Sequence, residues 1–172
     1  GQLLGFESDP QAVTIARERL SDFRSSALII NRNFSSLEEE CLEREFFPLN
    51  GILFDLGLSS MQLAETGRGF SFQYDAPLDM RFSPDQDLSV EEIVNSYKEA
   101  EIASIIYKYG EEPASRRIAA AIVNHRPIHT TMQLAEVVAR AVGGKKGRIH
   151  PATRTFQAFR IAVNRELENL ET

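Results

Sequence analysis

The sequence predicts an α/β fold in which a small parallel sheet is followed by a run of helices. Three short apolar segments, residues 2–7, 27–30 and 51–54, show no alternation of polar and apolar side chains. Such runs are typical of parallel strands that are covered on both faces. Helical signals separate the segments, and a β-α-β-α-β order with short loops indicates a parallel sheet. After Arg81 the strand pattern stops, and four short helices follow.

Local signals place the ends of the helices. Asp9 and Pro10 are an N-cap and a first helical residue, and Ser89 with Glu92 has the spacing of a capping box. A polar helix or helical turn is predicted from Ser36 to Arg44. The later helices are predicted over residues 89–97, 100–107, 114–123 and 131–142, the last ended by Gly143-Gly144, and a long helix is predicted from His150 to Leu170.

Composition limits the class of protein. The 172 residues, 42% of them apolar, suit one globular domain, or one domain and part of another. No run of 18 apolar residues occurs, so we expect no membrane-spanning helix, and the first ten residues lack the basic region of a signal peptide. The lone Cys41 excludes internal disulfides and a cysteine-built zinc site. We therefore expect no metal, and a reducing compartment.

Charge is divided unevenly along the chain. The net charge is −6, but residues 1–112 hold 9 basic and 21 acidic residues, whereas residues 113–165 hold 10 basic residues and one acidic residue, Glu136. All three histidines also lie in the basic part. This asymmetry indicates a basic surface for a polyanion on an acidic body, and solvated helix faces are the alternative.

Acidic side chains follow two of the predicted strands. Glu7 comes directly after the first, and Asp55 after the third, before Gly57 and the polar loop from Ser59 to Gln62. Ligands of open α/β sheets bind outside the carboxyl ends of the strands, where an acidic residue accepts hydrogen bonds from ribose hydroxyls. A strand ending in an ordinary turn would give the same pattern at Asp55. A dinucleotide-dependent oxidoreductase also fits, and an upstream G-x-G-x-x-G turn would identify it.

Four long motifs give a more specific answer. The runs DLGLSSMQL, GRGFSFQYDAPLDMR, YGEEPASRRIAAAI and HPATRTFQAFRIAVNREL, in this order, resemble the RsmH (MraW) family of bacterial ribosomal-RNA methyltransferases and its mitochondrial relatives. The resemblance covers nearly the whole chain. It implies an S-adenosylmethionine-dependent enzyme that methylates the N4 amine of a cytidine in small-subunit ribosomal RNA, near the decoding centre. The implied partner is this RNA or the small ribosomal subunit.

The family fold implies the domain organisation. Residues 1–82 are expected to form part of a Rossmann-like cofactor-binding domain, residues 83–149 an inserted all-helical domain that recognises RNA, and residues 150–172 a helix that returns to the first domain. We expect the cytoplasm of a bacterium, or a mitochondrion if the source is eukaryotic.

The resemblance also implies the cofactor site. Glu7 stands where the family places an acidic ribose ligand, usually Asp, and Phe34, Asp55 and Gln62 match positions that contact S-adenosylmethionine. Cytidine N4 is a poor nucleophile, so an acceptor near its hydrogens would favour attack. Asp55 is the candidate catalytic residue, and a backbone carbonyl between Leu56 and Ser59 is the alternative acceptor.

RNA contacts are expected from the basic part of the chain and from a polar stripe on the last helix. Phe70, Phe72 or His150 would hold the target base once it leaves its stack, although the two phenylalanines also suit a core. The candidate RNA-binding residues are Arg116, Arg117, Arg140, Lys145, Lys146, Arg148, His150, Arg154, Gln157, Arg160 and Asn164.

The sequence is also expected to be a fragment. The strand with the glycine-rich cofactor loop would precede Gly1, and the last strands of the sheet would follow Thr172. We therefore predict that the isolated chain binds S-adenosylmethionine weakly or not at all and is inactive, and a non-catalytic fragment is the alternative function.

Overall fold

The chain forms two compact units. A computed structural model describes residues 1–64, 67–144 and 149–171, except for the side chain of Arg24. Residues Gly1–Leu56, together with the C-terminal segment from Glu166, form one unit, which we call the strand unit. Residues Gly57–Arg165 form the other, which we call the helical unit. A mixed α/β chain with a small parallel sheet and many helices agrees with the predicted class.

The strand unit is built on one parallel strand pair. Strand β1 pairs with β2 from Leu3 opposite Ala27 to Phe6 opposite Ile30. Asp9 caps the helix that follows β1, because its carboxylate accepts a hydrogen bond from the amide of Gln11 at 3.0 Å. The elements are β1 (Leu3–Phe6), α1 (Pro10–Arg19), a 3₁₀ helix (Ser21–Ser26), β2 (Ala27–Ile30), a second 3₁₀ helix (Phe34–Ser36), α2 (Leu37–Glu43) and α9 (Glu166–Leu170).

The third predicted strand, residues 51–54, is not formed. This segment has no strand geometry, and Ile52, Leu53 and Phe54 are 55%, 87% and 50% exposed. A parallel strand is stable only where a neighbour completes its hydrogen-bond ladder and other elements cover its faces. Among the described residues, β1 and β2 pair with each other alone, so this apolar segment has no ladder to join.

The helical unit surrounds a continuous hydrophobic core. Ser89 starts α4 as predicted, since its hydroxyl accepts a hydrogen bond from the amide of Glu92, and Gly143 and Gly144, both with positive φ, follow the end of α7. Central core residues include Leu78, Ile102, Ile106, Ile118, Leu134, Phe156 and Phe159. The helices are α3 (Ser60–Ala64), α4 (Val90–Ser96), α5 (Glu99–Gly110), α6 (Ser115–Asn124), α7 (Thr131–Ala141) and α8 (Thr153–Val163).

The predicted long helix from His150 to Leu170 is interrupted. Helix α8 ends at Val163, and Arg165 adopts φ +49°, a left-handed conformation that breaks a helix. Phe156, Phe159 and Val163 are buried, whereas Leu167 is exposed. The hydrophobic stripe read from the sequence therefore extends only as far as α8.

Two glycines allow close approaches within the helical unit. Gly69 has φ +70°, and a Cβ built there would lie 2.1 Å from the carbonyl oxygen of Pro77. A Cβ on Gly110 would lie 2.6 Å from the carbonyl oxygen of Arg154. The first glycine lets the loop of residues 67–82 fold back on itself, and the second lets α5 and α8 pack backbone against backbone.

Candidate functional site

Polar groups gather where the two parallel strands end. The amide of Glu7, directly after β1, donates to the carbonyl of Ile30 at 3.1 Å. The side chain of Asn31, directly after β2, donates from Nδ2 to the carbonyl of Glu7 at 2.9 Å. The carboxyl ends of β1 and β2 thus form one edge, which is the part of an α/β sheet that binds ligands.

The carboxylate of Glu7 has a fixed orientation at this edge. Its Oε1 accepts a hydrogen bond from the amide of Asp9 at 2.9 Å. Asp9 is completely buried and caps α1, so the N-cap residue of this helix holds Glu7 in position. The side chain of Glu7 is only partly buried, which keeps a negative charge and hydrogen-bond acceptors at the surface of the edge.

Phe34 adds an aromatic face to the strand unit near Asp55. Asn33 starts the short 3₁₀ helix by accepting a hydrogen bond from the amide of Ser35 at 2.9 Å, and Phe34 is the first residue of that helix. Its ring meets Phe54 edge to face, with centroids 5.7 Å apart. This contact brings the segment that ends in the exposed Asp55 beside the 3₁₀ helix.

Asn31 and Asn33 were missed by the sequence analysis. Asn31 joins the two strand ends, and Asn33 sets the position of Phe34. An Asn immediately after the predicted strand 27–30 was an available signal, since the carboxyl ends of parallel strands meet at one edge.

Gln62, predicted to contact the cofactor, lies in the helical unit. It forms a reciprocal capping box with Ser59 at the start of α3. The amide of Gln62 donates to Oγ of Ser59 at 3.1 Å, and Oε1 of Gln62 accepts from the amide of Ser59 at 3.1 Å. The buried Gln62 side chain thus stabilises the polar loop from Ser59 to Gln62, in which it lies.

The loop of residues 67–82 is held by its own charged side chains. The guanidinium of Arg81 meets the carboxylate of Asp79 through two contacts, Nε to Oδ1 at 2.6 Å and Nη2 to Oδ2 at 3.1 Å. The hydrogen bond with Asp79 is the main cause of a raised pKa of Arg81. Nη1 of Arg81 also donates to the carbonyl of Pro84 at 3.3 Å. This motif therefore has a framework role.

The two phenylalanines of this loop have different environments. Phe70 is 6% exposed and stacks on Phe82, so it belongs to the core. Phe72 is only partly buried, and its ring centroid lies 4.7 Å from that of His150 and 4.8 Å from that of Phe156. Of the three aromatic candidates for holding a base, Phe72 and His150 form a partly accessible pair.

The predicted RNA-binding residues divide by exposure. Arg116, Arg117, Arg154 and Gln157 are exposed, whereas Arg160 and His150 are partly buried. Arg140 is exposed and pairs with Glu136, one helical turn away. Lys145, Lys146 and Arg148 lie outside the described residues.

Asn164, also predicted to face RNA, is 4% exposed. It bonds to the backbone of Met80 and Phe82. The structure thus places Asn164 in the framework, away from the surface that an RNA contact would need.

Two features are absent from the described part of the chain. No group of three or more His, Cys, Asp or Glu side chains is arranged to hold a metal ion there. In the same ranges, no helix has both the length and the apolar character needed to cross a membrane.

Known proteins match the chain over its whole length. Residues 1–172 match the model of the MraW methylase family. The chain is 59% and 60% identical to proteins named ribosomal RNA small subunit methyltransferase H from two strains of Dehalococcoides mccartyi, over 100% of this chain and 49% of each relative. A protein of the same name from Geotalea uraniireducens is 49% identical over 99% of the chain and 56% of its own length. The chain thus spans about half the length of the curated relatives it matches.

Proposed function

Because the chain belongs to the MraW methylase family, we propose that the protein to which it contributes is an S-adenosylmethionine-dependent methyltransferase of small-subunit ribosomal RNA. We propose the N4 amine of a cytidine near the decoding centre as the methylated group. The observation that carries this proposal is the family match, together with a carboxylate and an aromatic face in the strand unit, a combination that suits an adenosine group.

The strand unit is proposed to hold the cofactor. Glu7 would accept hydrogen bonds from the ribose hydroxyls, and its orientation by the amide of Asp9 would reduce the cost of ordering it on binding. Phe34 would lie against the adenine ring, with Asp55 near the methionine part. Gln62 would act through the loop it caps. S-adenosylmethionine supplies a methyl group that is already activated on a sulfonium.

The residues of this chain would align the cytidine amine, which is the nucleophile, and accept the proton that it loses. The cytidine amine must point at the methyl carbon, in a site that excludes water. The new carbon–nitrogen bond would form as the bond between the methyl carbon and the sulfonium sulfur breaks, which leaves a neutral thioether; the amine would become positively charged and lose a proton. The carboxylate of Asp55 is the proposed acceptor, and a backbone carbonyl between Leu56 and Ser59 would provide only a hydrogen bond.

The helical unit is proposed to recognise the RNA as an insertion in the cofactor-binding domain. Its partly accessible pair, Phe72 and His150, would stack on the target base after the base leaves the RNA stack. The basic residues predicted from the sequence would contact phosphates. The relatives named above come from bacteria, and the proposed site of action is the bacterial cytoplasm, on the small ribosomal subunit or its RNA.

Methyl transfer by the full-length protein tests this function. The protein would be mixed with labelled S-adenosylmethionine and with small subunits that lack the modification, and the labelled nucleoside would be identified after digestion. We expect N4-methylcytidine. Label on no RNA, combined with binding of NADH, would instead support the oxidoreductase alternative.

A substitution at the sheet edge tests the cofactor site separately. Glu7→Gln should weaken binding of S-adenosylmethionine by about tenfold to a hundredfold, the usual effect of losing a charged hydrogen-bond acceptor. Glu18→Gln, in the exposed face of α1, is the matched control. Equal affinity of both variants in calorimetry would exclude Glu7 from the cofactor site.

A further inference from the structure

The corner between α5 and α6 concentrates positive charge at the surface of the helical unit. Lys108 lies in the last turn of α5, and Arg116 and Arg117 lie in the first turn of α6. Arg154, on α8, reaches the same corner, where its Nη1 donates to the carbonyl of Glu111 at 3.3 Å. Four cationic residues thus lie at or beside the loop between α5 and α6, which contains two acidic residues, Glu111 and Glu112.

One of these cations is part of the framework. Nη1 of Arg154 lies 3.9 Å from Oε2 of Glu112, and Oε1 of Glu112 accepts from the amide of Ala114 at 2.9 Å. Gly110 permits the close approach of the α8 backbone at this point. Arg154 therefore contacts both Glu111 and Glu112 and connects the start of α8 to the loop that leads into α6.

Arg116 and Arg117 differ from the other arginines of the helical unit. Both are exposed, and neither has an ion pair or hydrogen bond to any residue that the structure describes. By contrast, Arg81 pairs with Asp79, Arg140 pairs with Glu136, and Arg126 donates to the carbonyl of Val94. The fold thus leaves these two neighbouring guanidinium groups available at its surface.

Their position also carries an electrostatic cost. Cations in the first turn of a helix oppose the helix dipole. The first turn of α6 contains no acidic residue, and the carboxylate of Glu112, which accepts from the amide of Ala114, offsets these two cations only in part. An adjacent polyanion would remove this cost. Tyr107, 66% exposed in the last turn of α5, adds an exposed aromatic ring to the same helical hairpin. Exposed aromatic rings and cations are combined in surfaces that bind single-stranded nucleic acids.

We propose that the corner formed by Tyr107, Lys108, Arg116 and Arg117 is an RNA-binding surface of the helical unit, on which Arg116 and Arg117 contact backbone phosphates. The planar guanidinium fork matches the geometry of a phosphate. Arg154 is a positioning residue that holds the corner through Glu111 and Glu112. The choice of RNA as the polyanion rests on the proposed function, whereas an acidic protein surface would be a different partner.

The test measures the salt dependence of RNA binding by the full-length protein. Arg116→Gln/Arg117→Gln would be compared with Arg140→Gln, another exposed arginine but one that is already ion-paired. The probe is an unmodified transcript of small-subunit ribosomal RNA. Its affinity is measured at several salt concentrations between about 50 and 200 mM, a range over which affinity that depends on phosphate contacts falls steeply. Loss of two phosphate contacts should lower the slope of log K against log salt by about 1.4 to 1.8, whereas the control should keep the original slope.

Further measurements separate the possible outcomes. Arg116→Lys/Arg117→Lys preserves the charge and should keep most of the slope, which distinguishes phosphate contact from a folding defect. An unchanged slope for the glutamine double variant would overturn the proposal. Polyglutamate is the probe for an acidic protein surface, and a double variant that loses polyglutamate binding but binds RNA normally would also overturn the proposal. Binding of S-adenosylmethionine, measured in parallel, reports on the proposed function independently, because no residue of this corner belongs to the strand unit.

Discussion

The side chain of Asn164, at the end of α8, completes the backbone hydrogen bonds around Met80. Nδ2 of Asn164 donates to the carbonyl of Met80 at 2.8 Å, and Oδ1 accepts from the amide of Phe82 at 2.7 Å. Met80 is fully buried and has φ +56°, a backbone conformation that is unfavourable for residues other than glycine. Hydrogen bonds from the surrounding structure must therefore stabilise the loop at this point. One amide group therefore anchors the loop of residues 67–82 to α8.

We predict that Asn164→Ala lowers the free energy of unfolding by about 2–4 kcal/mol, because a buried acceptor, the carbonyl of Met80, and a partly buried donor, the amide of Phe82, lose their partners. Gln157→Ala, at an exposed position of the same helix, should change it by less than about 0.5 kcal/mol. Urea denaturation followed by circular dichroism measures both. Equal stability of the two variants would contradict the anchoring role of Asn164.

Gly69→Ala should destabilise the chain by at least about 3 kcal/mol, since the new Cβ would combine a left-handed backbone with severe overlap. The methyl group would lie 2.1 Å from the carbonyl oxygen of Pro77 and 3.2 Å from Cγ2 of Thr131. Gly67→Ala is the control, because nothing lies within 4 Å of its Cβ position. Thermal unfolding compares the two, and similar melting temperatures would count against the close approach.

Two buried threonines should respond in opposite directions to substitution by valine. Oγ1 of Thr155 has no hydrogen-bond partner in the described part of the chain, so Thr155→Val should leave stability unchanged or raise it by up to about 1 kcal/mol. Oγ1 of Thr131 accepts from the amide of Ala76 at 3.1 Å and donates to the carbonyl of Tyr74 at 2.9 Å. Thr131→Val should therefore cost about 1–3 kcal/mol. Chemical denaturation of both variants is the measurement, and a large loss for Thr155→Val would point to an unrecognised contact.

The ion pair between Arg81 and Asp79 should stabilise the loop equally at neutral and mildly alkaline pH. The hydrogen bond with Asp79 raises the pKa of Arg81 in the folded state. A raised pKa means that the contribution of Arg81 is complete below the ordinary arginine range and is lost only as the pH rises through the folded value. We therefore expect the stability difference between the wild type and Arg81→Gln to stay constant between about pH 6 and pH 9. A difference that shrinks across this interval would show that another group titrates.

Features that depend on neighbouring residues were predictable from the sequence. The caps at Asp9 and Ser89, the strand Ala27–Ile30 and the glycine end of α7 all appear where local signals place them. These signals act over three or four residues, so the rest of the chain hardly alters them. The long motifs likewise identified the family, which the comparisons confirm.

Features that depend on distant partners were decided by the tertiary structure alone. The apolar character of residues 51–54 predicts a buried strand, but Leu53 is exposed, because no strand in the described part of the chain pairs with this segment. Phe70 and Phe72 are two residues apart, yet one stacks in the core and the other meets His150. Asn164 continued a polar helical stripe, but a loop more than 80 residues earlier in the chain buries it. Sequence periodicity indicates which residues share a face, whereas burial and hydrogen bonding depend on what that face meets.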